Sequence, residues 1–263
     1  MNDPIAVAVS ILAFVVSLVS TFLTLRLQSK SGTEAALDQL GEITQKIIDT
    51  LSERSELESL DPHRRDVSYY SKLSSLNYKL SLLARQADYL IELESPIVSD
   101  VQYCLIALGL AQIGDVDTAQ KYWELGIAKS PSDFYRIVNL RGYASFLFIQ
   151  GNCEAGAVQY QNALKIWNDD QDFHKYHNGY TYQMWFVSEM QTRGMSPQAN
   201  QYYERAKQLF ESISNPGGRM SALEALEMAR SSLMMGYSVP PTSAPLTSPM
   251  QPPNNPGANP KAN

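Results

Sequence analysis

An all-α fold is predicted, with one apolar amino-terminal helix, a helix–turn–helix solenoid and a proline-rich tail. Three observations predict it. A four-residue signature recurs as Gly114–Ala119–Trp123–Gly126, Gly151–Gly156–Tyr160–Ala163 and Gly194–Ala199–Tyr203–Ala206. Apolar residues follow alternating steps of three and four through most of residues 33–236, the period of an amphipathic helix. Alternation at period two, the mark of a half-buried strand, is close to nil.

The first element is the run Ile5 to Leu25, 21 residues without a charge. That is close to the ~20 residues needed to cross a ~30 Å hydrocarbon core. A cleavable signal peptide would have a basic start and a shorter apolar core, whereas Met-Asn-Asp-Pro precedes this one. The expectation is an uncleaved single-pass transmembrane helix over residues 5–27, after a stub of residues 1–4. Arg26 and Lys30 follow the span and no Lys or Arg precedes it. By the bias of basic residues this places residues 1–4 outside and the large domain in the cytoplasm. The opposite topology stays open. Absence of an organelle address fits a bacterial inner membrane. Ala6, Ser10, Ala13, Ser17, Ser20 and Thr24 recur at steps of four and three, one small-residue stripe along the span. Two readings stand: a seam for self-association through close backbone approach, or hydroxyls bonding their own backbone in a plain anchor.

Residues 28–33 form a linker in which Lys30-Ser31-Gly32 interrupts the helix leaving the membrane. Thr33 can cap a new helix reaching Leu60, with Leu37, Leu40, Ile43, Ile47 and Leu51 on one face. Asp61-Pro62 breaks it. From Asp66 to Glu94, Tyr69, Leu73, Leu76, Leu80, Leu83, Ala87 and Leu90 form a heptad-like seam. Residues 34–94 read either as an antiparallel hairpin that extends the solenoid or as a short intermolecular coiled coil. A solenoid end needs a cap, which favours the hairpin.

Residues 98–213 carry the three repeats, over about 100–132, 137–170 and 180–213. Upstream of each glycine lie a large apolar residue at minus four (Leu110, Leu147, Met190), a small or β-branched one at minus seven (Ala107, Ala144, Val187) and a bulky one at minus eight (Ile106, Tyr143, Phe186). These share one stripe of a first helix. The glycine occupies the turn, where positive φ is cheap. The small residue five positions on lets a second helix approach, and the aromatic after it fills the space between units. Successive glycines are 37 and 43 residues apart, so extra residues sit between units. Residues 219–236, with Met220, Leu223, Leu226, Ala229 and Leu233, read as a closing cap helix after a Pro216-Gly217-Gly218 turn. Residues 237–263 hold eight prolines and few large apolar side chains, and read as a disordered tail. Pro249-Met-Gln-Pro252 and Pro253-Asn-Asn-Pro256 have the loose polyproline-ligand form without an adjacent basic residue.

The repeat pattern resembles the tetratricopeptide repeat family, whose period and helix–turn–helix unit it shares. The first copy matches best, through Tyr103, Ala107, Gly114, Asp115, Ala119, Trp123 and Pro131. The second has Gly156 where the family has alanine, and lacks the closing proline; the third has Gln183 at the opening aromatic position. The resemblance implies a peptide-binding groove along the first helices. Carried over, it is lined by Val101, Cys104, Leu108 and Gln112, by Val138, Arg141, Ser145, Phe148 and Ile149, and by Thr181, Met184, Ser188 and Gln191. With one cation, Arg141, this groove lacks the basic cluster with which chaperone-docking members clamp a terminal carboxylate.

No reaction chemistry is legible. Gly151 to Gly156 has P-loop spacing, but Ala157-Val158 stand where Lys-Ser/Thr is required. HExxH, GxSxG and GxGxxG are absent. His174 and His177, behind Asp169, Asp170 and Asp172, could hold a divalent metal, yet read better as part of a solvated acidic loop. Cys104 and Cys153 are the only cysteines and read as packing residues. A net charge of −6 argues against nucleic-acid binding through phosphates. Arg64-Arg65 could touch anionic headgroups, though a solvated helix start explains the pair. No catalytic, cofactor or metal site is expected. The expected function is a membrane-anchored, non-enzymatic adaptor that binds a protein partner; the alternative is a structural homo-oligomer built through the span and the juxtamembrane helices.

Overall fold

The computed structural model describes residues 34–58, 66–94 and 98–234, and every regular element among them is a helix. The span over residues 5–27 with its small-residue stripe, the linker, the Arg64-Arg65 pair and the tail of residues 237–263 lie outside the described residues. Among the described residues no helix is long and apolar enough to cross a membrane.

In chain order the helices are α1 (Glu34–Glu58), α2 (Val67–Glu94), α3 (Asp100–Gln112), α4 (Val116–Lys129), α5 (Asp133–Ile149), α6 (Cys153–Leu164), α7 (Asp172–Arg193), α8 (Pro197–Glu211) and α9 (Pro216–Met234). Their most extensive contacts fall within the pairs α1–α2, α3–α4, α5–α6 and α7–α8. Successive pairs then stack, α1 on α3, α5 on α7 and α7 on α9. The chain is thus a helical repeat-like protein with packed neighbouring helices.

Residues of α1 and α2 meet as the apolar stripes dictate. Leu40, Ile43, Ile47 and Leu51 share a core with Leu80, Leu83, Ala87 and Leu90 of the seam. Leu57, near the end of α1, packs with Tyr69 and Leu76 near the start of α2, the pairing of an antiparallel hairpin. Asp66 starts α2 by accepting from the Tyr69 amide at 2.9 Å. The seam is therefore spent inside the chain. The opposite side of α2 is open, with Val67, Tyr70, Tyr78, Leu82 and Tyr89 exposed.

The signature residues have the positions their chemistry requires. Gly114, Gly151 and Gly194 have φ of 82°, 79° and 73°, in the region that favours glycine. Just after each, a polar side chain caps the second helix. Asp115 accepts from the Thr118 amide, Asn152 from the Ala155 amide and Ser196 from the Ala199 amide. Ala119, Ala199, Trp123, Tyr160, Tyr203, Ala163 and Ala206 are fully or almost fully buried. Position 156 has no room for a side chain because Phe148 fills the space: a β-carbon there would lie 2.5 Å from its ring and 2.9 Å from the Ala144 carbonyl oxygen.

Helix α5 belongs to both main cores. Tyr143, Phe146 and Leu147 join the amino-terminal one, and Ala144 and Phe148 join the one shared with α7, α8 and α9. Below it lies a buried polar junction. Asn139 donates to Asp100 Oδ2 and Ser130 Oγ, both at 2.9 Å, and its Oδ1 accepts from the Cys104 thiol at 3.3 Å. One side chain so joins α3, the end of α4, and α5. Burial raises the Asp100 pKa against the opposing bond from Asn139.

Two local readings are corrected. Pro216, Gly217 and Gly218 form the first turn of α9 and do not precede it. Proline suits the first helical position, and the Asn215 side chain accepts from the Gly218 amide at 3.1 Å. The stretch from Asp172 onward is helical, so the residues between the second and third units lengthen α7 to 22 residues. His174 and His177 therefore lie on a helix and not in a solvated loop.

Candidate functional site

The face assigned to a partner is mostly interior. Val101, Cys104, Leu108, Val138, Arg141, Phe148, Thr181 and Ser188 are buried, and Gln112, Ser145, Ile149, Met184 and Gln191 are half-buried. The cause is compositional in α3, where every residue from Asp100 to Leu110 is buried. A helix apolar on all sides is covered on all sides. Further along, Ser145 Oγ, Tyr160 Oη and Ser188 Oγ form a chain of hydrogen bonds of 2.8 and 2.9 Å across α5, α6 and α7. Thr181 Oγ1 turns back to the His177 carbonyl oxygen at 2.9 Å. These polar groups serve the packing of one helix against the next. Burial pushes the Tyr160 phenol up to about 12.

Arg141 stands apart. It is 4% exposed and makes no hydrogen bond or ion pair with any described residue; its Nη1 has no partner. Its guanidinium lies 4.9 Å from the centre of the Tyr180 ring. The ionisable groups that bear on it are the phenols of Tyr180, Tyr176 and Tyr160, all neutral. His177 is close as well, and burial, then the charge of Arg141, holds its imidazole down at about 3. Rings surround that imidazole: Phe173 at 4.5 Å, Phe134 at 5.2 Å and Trp167 at 5.7 Å between centroids.

The other sequence candidates are structural. Among the described residues no group of three or more His, Cys, Asp or Glu side chains could hold a metal ion. His174 Nδ1 contacts Asp170 Oδ1 at 2.8 Å, and this bond depresses the Asp170 carboxyl. Asp172 accepts from the Ser214 and Asn215 amides at 2.9 and 3.1 Å, tying α7 to the α8–α9 turn. Cys104 is fully buried, and burial, reinforced by Asp100, raises its thiol well above the ordinary range. Such a thiol is not poised for nucleophilic work.

An open concavity of about 650 Å³ does exist, on another side of the domain between α6, α7 and α8. Its floor is aromatic, with Trp185 stacked on Tyr202 at 3.9 Å and Tyr182 stacked beyond at 6.4 Å. Its rim carries Gln161, Lys165, Gln198, Gln201, Arg205 and Gln208. Sequence reasoning missed this groove. Its signal was present in α8, where Gln198, Gln201, Arg205 and Gln208 recur at helical spacing opposite the buried Tyr203 and Ala206.

No protein-family model, no curated protein and no solved structure matches this chain.

Proposed function

We propose that this chain is a non-enzymatic adaptor, anchored in a membrane through residues 5–27, whose tetratricopeptide-like domain binds a protein partner at the membrane surface. The observation that carries the reading is the groove between α6, α7 and α8. Aromatic side chains below and amide-bearing side chains above suit a peptide, since the rings offer contact area and glutamines can both donate and accept to its backbone. The repeated turn, with glycine at positive φ followed by a capping side chain, supports the family likeness. The uncharged run over residues 5–25 supports the anchor. Partner contacts therefore belong to this outer groove and not to the buried face around Val101 and Cys104.

The test is a crosslinking capture from membranes with the full chain, comparing wild type with a Gln201→Glu, Arg205→Glu double variant. Both positions are exposed, and the ion pair that the Arg205 change breaks, with Asp169 at 3.4 Å, lies at the surface, where such pairs contribute little to the fold. Loss of a reproducible partner in the variant is expected; an identical partner set removes the groove as the docking surface. A second reading, a homo-oligomer, is favoured by the open apolar side of α2.

A further inference from the structure

We propose that Arg141, buried where α5, α6 and α7 meet, anchors a binding site for one small oxyanion, of the size of inorganic phosphate or a short carboxylate. This goes beyond the docking of a protein partner and does not depend on it.

The argument begins with a charge that has no counterpart. Arg141 is 4% exposed, and no described Asp or Glu bears on it. Removing a cation from water without pairing it is strongly unfavourable. A buried lysine escapes by releasing its proton, but a guanidinium keeps its charge. The Tyr180 ring, 4.9 Å away, offers a cation–π contact but no negative charge. The rest of the lining adds no negative charge. His177 Nδ1 is itself buried without a partner, and the phenols of Tyr176 and Tyr180 form no hydrogen bond with any described residue. Neutral groups thus surround Arg141, and no described carboxylate supplies the negative charge to match its own.

An oxyanion supplies what is missing. Two of its oxygens match the planar fork of a guanidinium, and phenolic hydroxyls can donate to the others. The size limit follows from burial. At 4% exposure, between Tyr160, Tyr176 and Tyr180, Arg141 offers no strip along which a polypeptide could run, whereas a compact ion needs none.

The experiment uses the full-length chain in detergent, purified in chloride buffer without phosphate, sulfate or carboxylates. Equilibrium dialysis with labelled phosphate is expected to show one saturable site per chain. Melting temperature should rise by roughly 5 °C at a hundredfold excess over Kd. Parallel titrations with formate and acetate at fixed ionic strength separate a carboxylate from a phosphate ligand. Arg141→Met should abolish binding and melt no lower than wild type in chloride, because it removes the unpaired charge. Arg141→Lys keeps the charge without the fork and should weaken binding at least tenfold, which serves if the methionine variant does not fold. Wild type that neither binds nor is stabilised by any of these anions overturns the proposal. Equal binding by wild type and both variants overturns it too, since the ion would then sit elsewhere.

Discussion

Gly156 of α6 lies directly against Phe148 and Ala144 of α5. A β-carbon there would stand 2.5 Å from Phe148 and 2.9 Å from a backbone oxygen, so something must move. Gly156→Ala should cost about 1–3 kcal/mol by overpacking, read as a lower urea midpoint at unchanged slope. Gly114→Ala has open space around it but φ of 82°, so its cost, about 1–2 kcal/mol, arises from backbone conformation alone. His177 makes a prediction in pH. Its imidazole titrates near 6.5 when unfolded and at about 3 when folded. Between these values the unfolded chain binds a proton that the folded chain refuses, so stability rises with pH through this window and falls as acid is added. His177→Phe keeps an aromatic among Phe134, Trp167 and Phe173. Circular dichroism should then show a flatter stability profile from pH 6.5 to 3; an unchanged slope would refute the assignment.

At the scale of the helix, the second members of the three repeat pairs, α4, α6 and α8, start the same way. Glycine turns the chain, a polar side chain caps, and a small residue enters the interface. The third unit takes one residue more, Met195, between its glycine and its cap, so Ala199 is one position nearer the helix start than Ala119. Because Asn152 is exposed and its bond to the Ala155 amide is local, Asn152→Ala should remove the cap and little else. The expected loss is about 1 kcal/mol. Hydrogen exchange should locate it, with faster exchange in the first turn of α6 and none added in α3. Uniform acceleration across all helices would show instead that Asn152 acts through global stability.

At the scale of the molecule, order comes from neighbour contacts. Helix α5 gives one side to each core, so the two halves are joined through a shared element and not through a flat interface. The hairpin of α1 and α2 covers the amino-terminal end, and α9 covers the other through Leu226 and Ala222. Among the described residues the outer side of α2 stays open, with Val67, Tyr70, Tyr78, Leu82 and Tyr89 exposed, as do Met220, Met228 and Met234 on α9. If the homo-oligomer reading holds, the α2 side is its seam, and Tyr78→Lys with Leu82→Lys should convert the assembly to a monomer. Mass measurement of the detergent-solubilised chain decides this. A monomeric wild type removes the oligomer reading, and an oligomer unchanged by the double variant removes this face.

Local rules alone determined much of the domain. The glycines at 114, 151 and 194 announced positive φ, and the apolar stripes announced helices, because turn sterics and helical period act within a few residues. The seam from Tyr69 to Leu90 announced burial and favoured the preceding helix over a second chain as its partner, and it packs on α1. Three things needed the tertiary structure. Gly156 looked like a departure from the tetratricopeptide pattern until Phe148 appeared beside it. His177 looked solvated until Phe134, 43 residues earlier in the chain, closed over it. Arg141 looked like a groove residue open to a partner, and is instead a buried cation with no Asp or Glu beside it among the described residues. The reason is common to all three: burial is set by residues distant in the chain, and charge and steric fit take their meaning from burial.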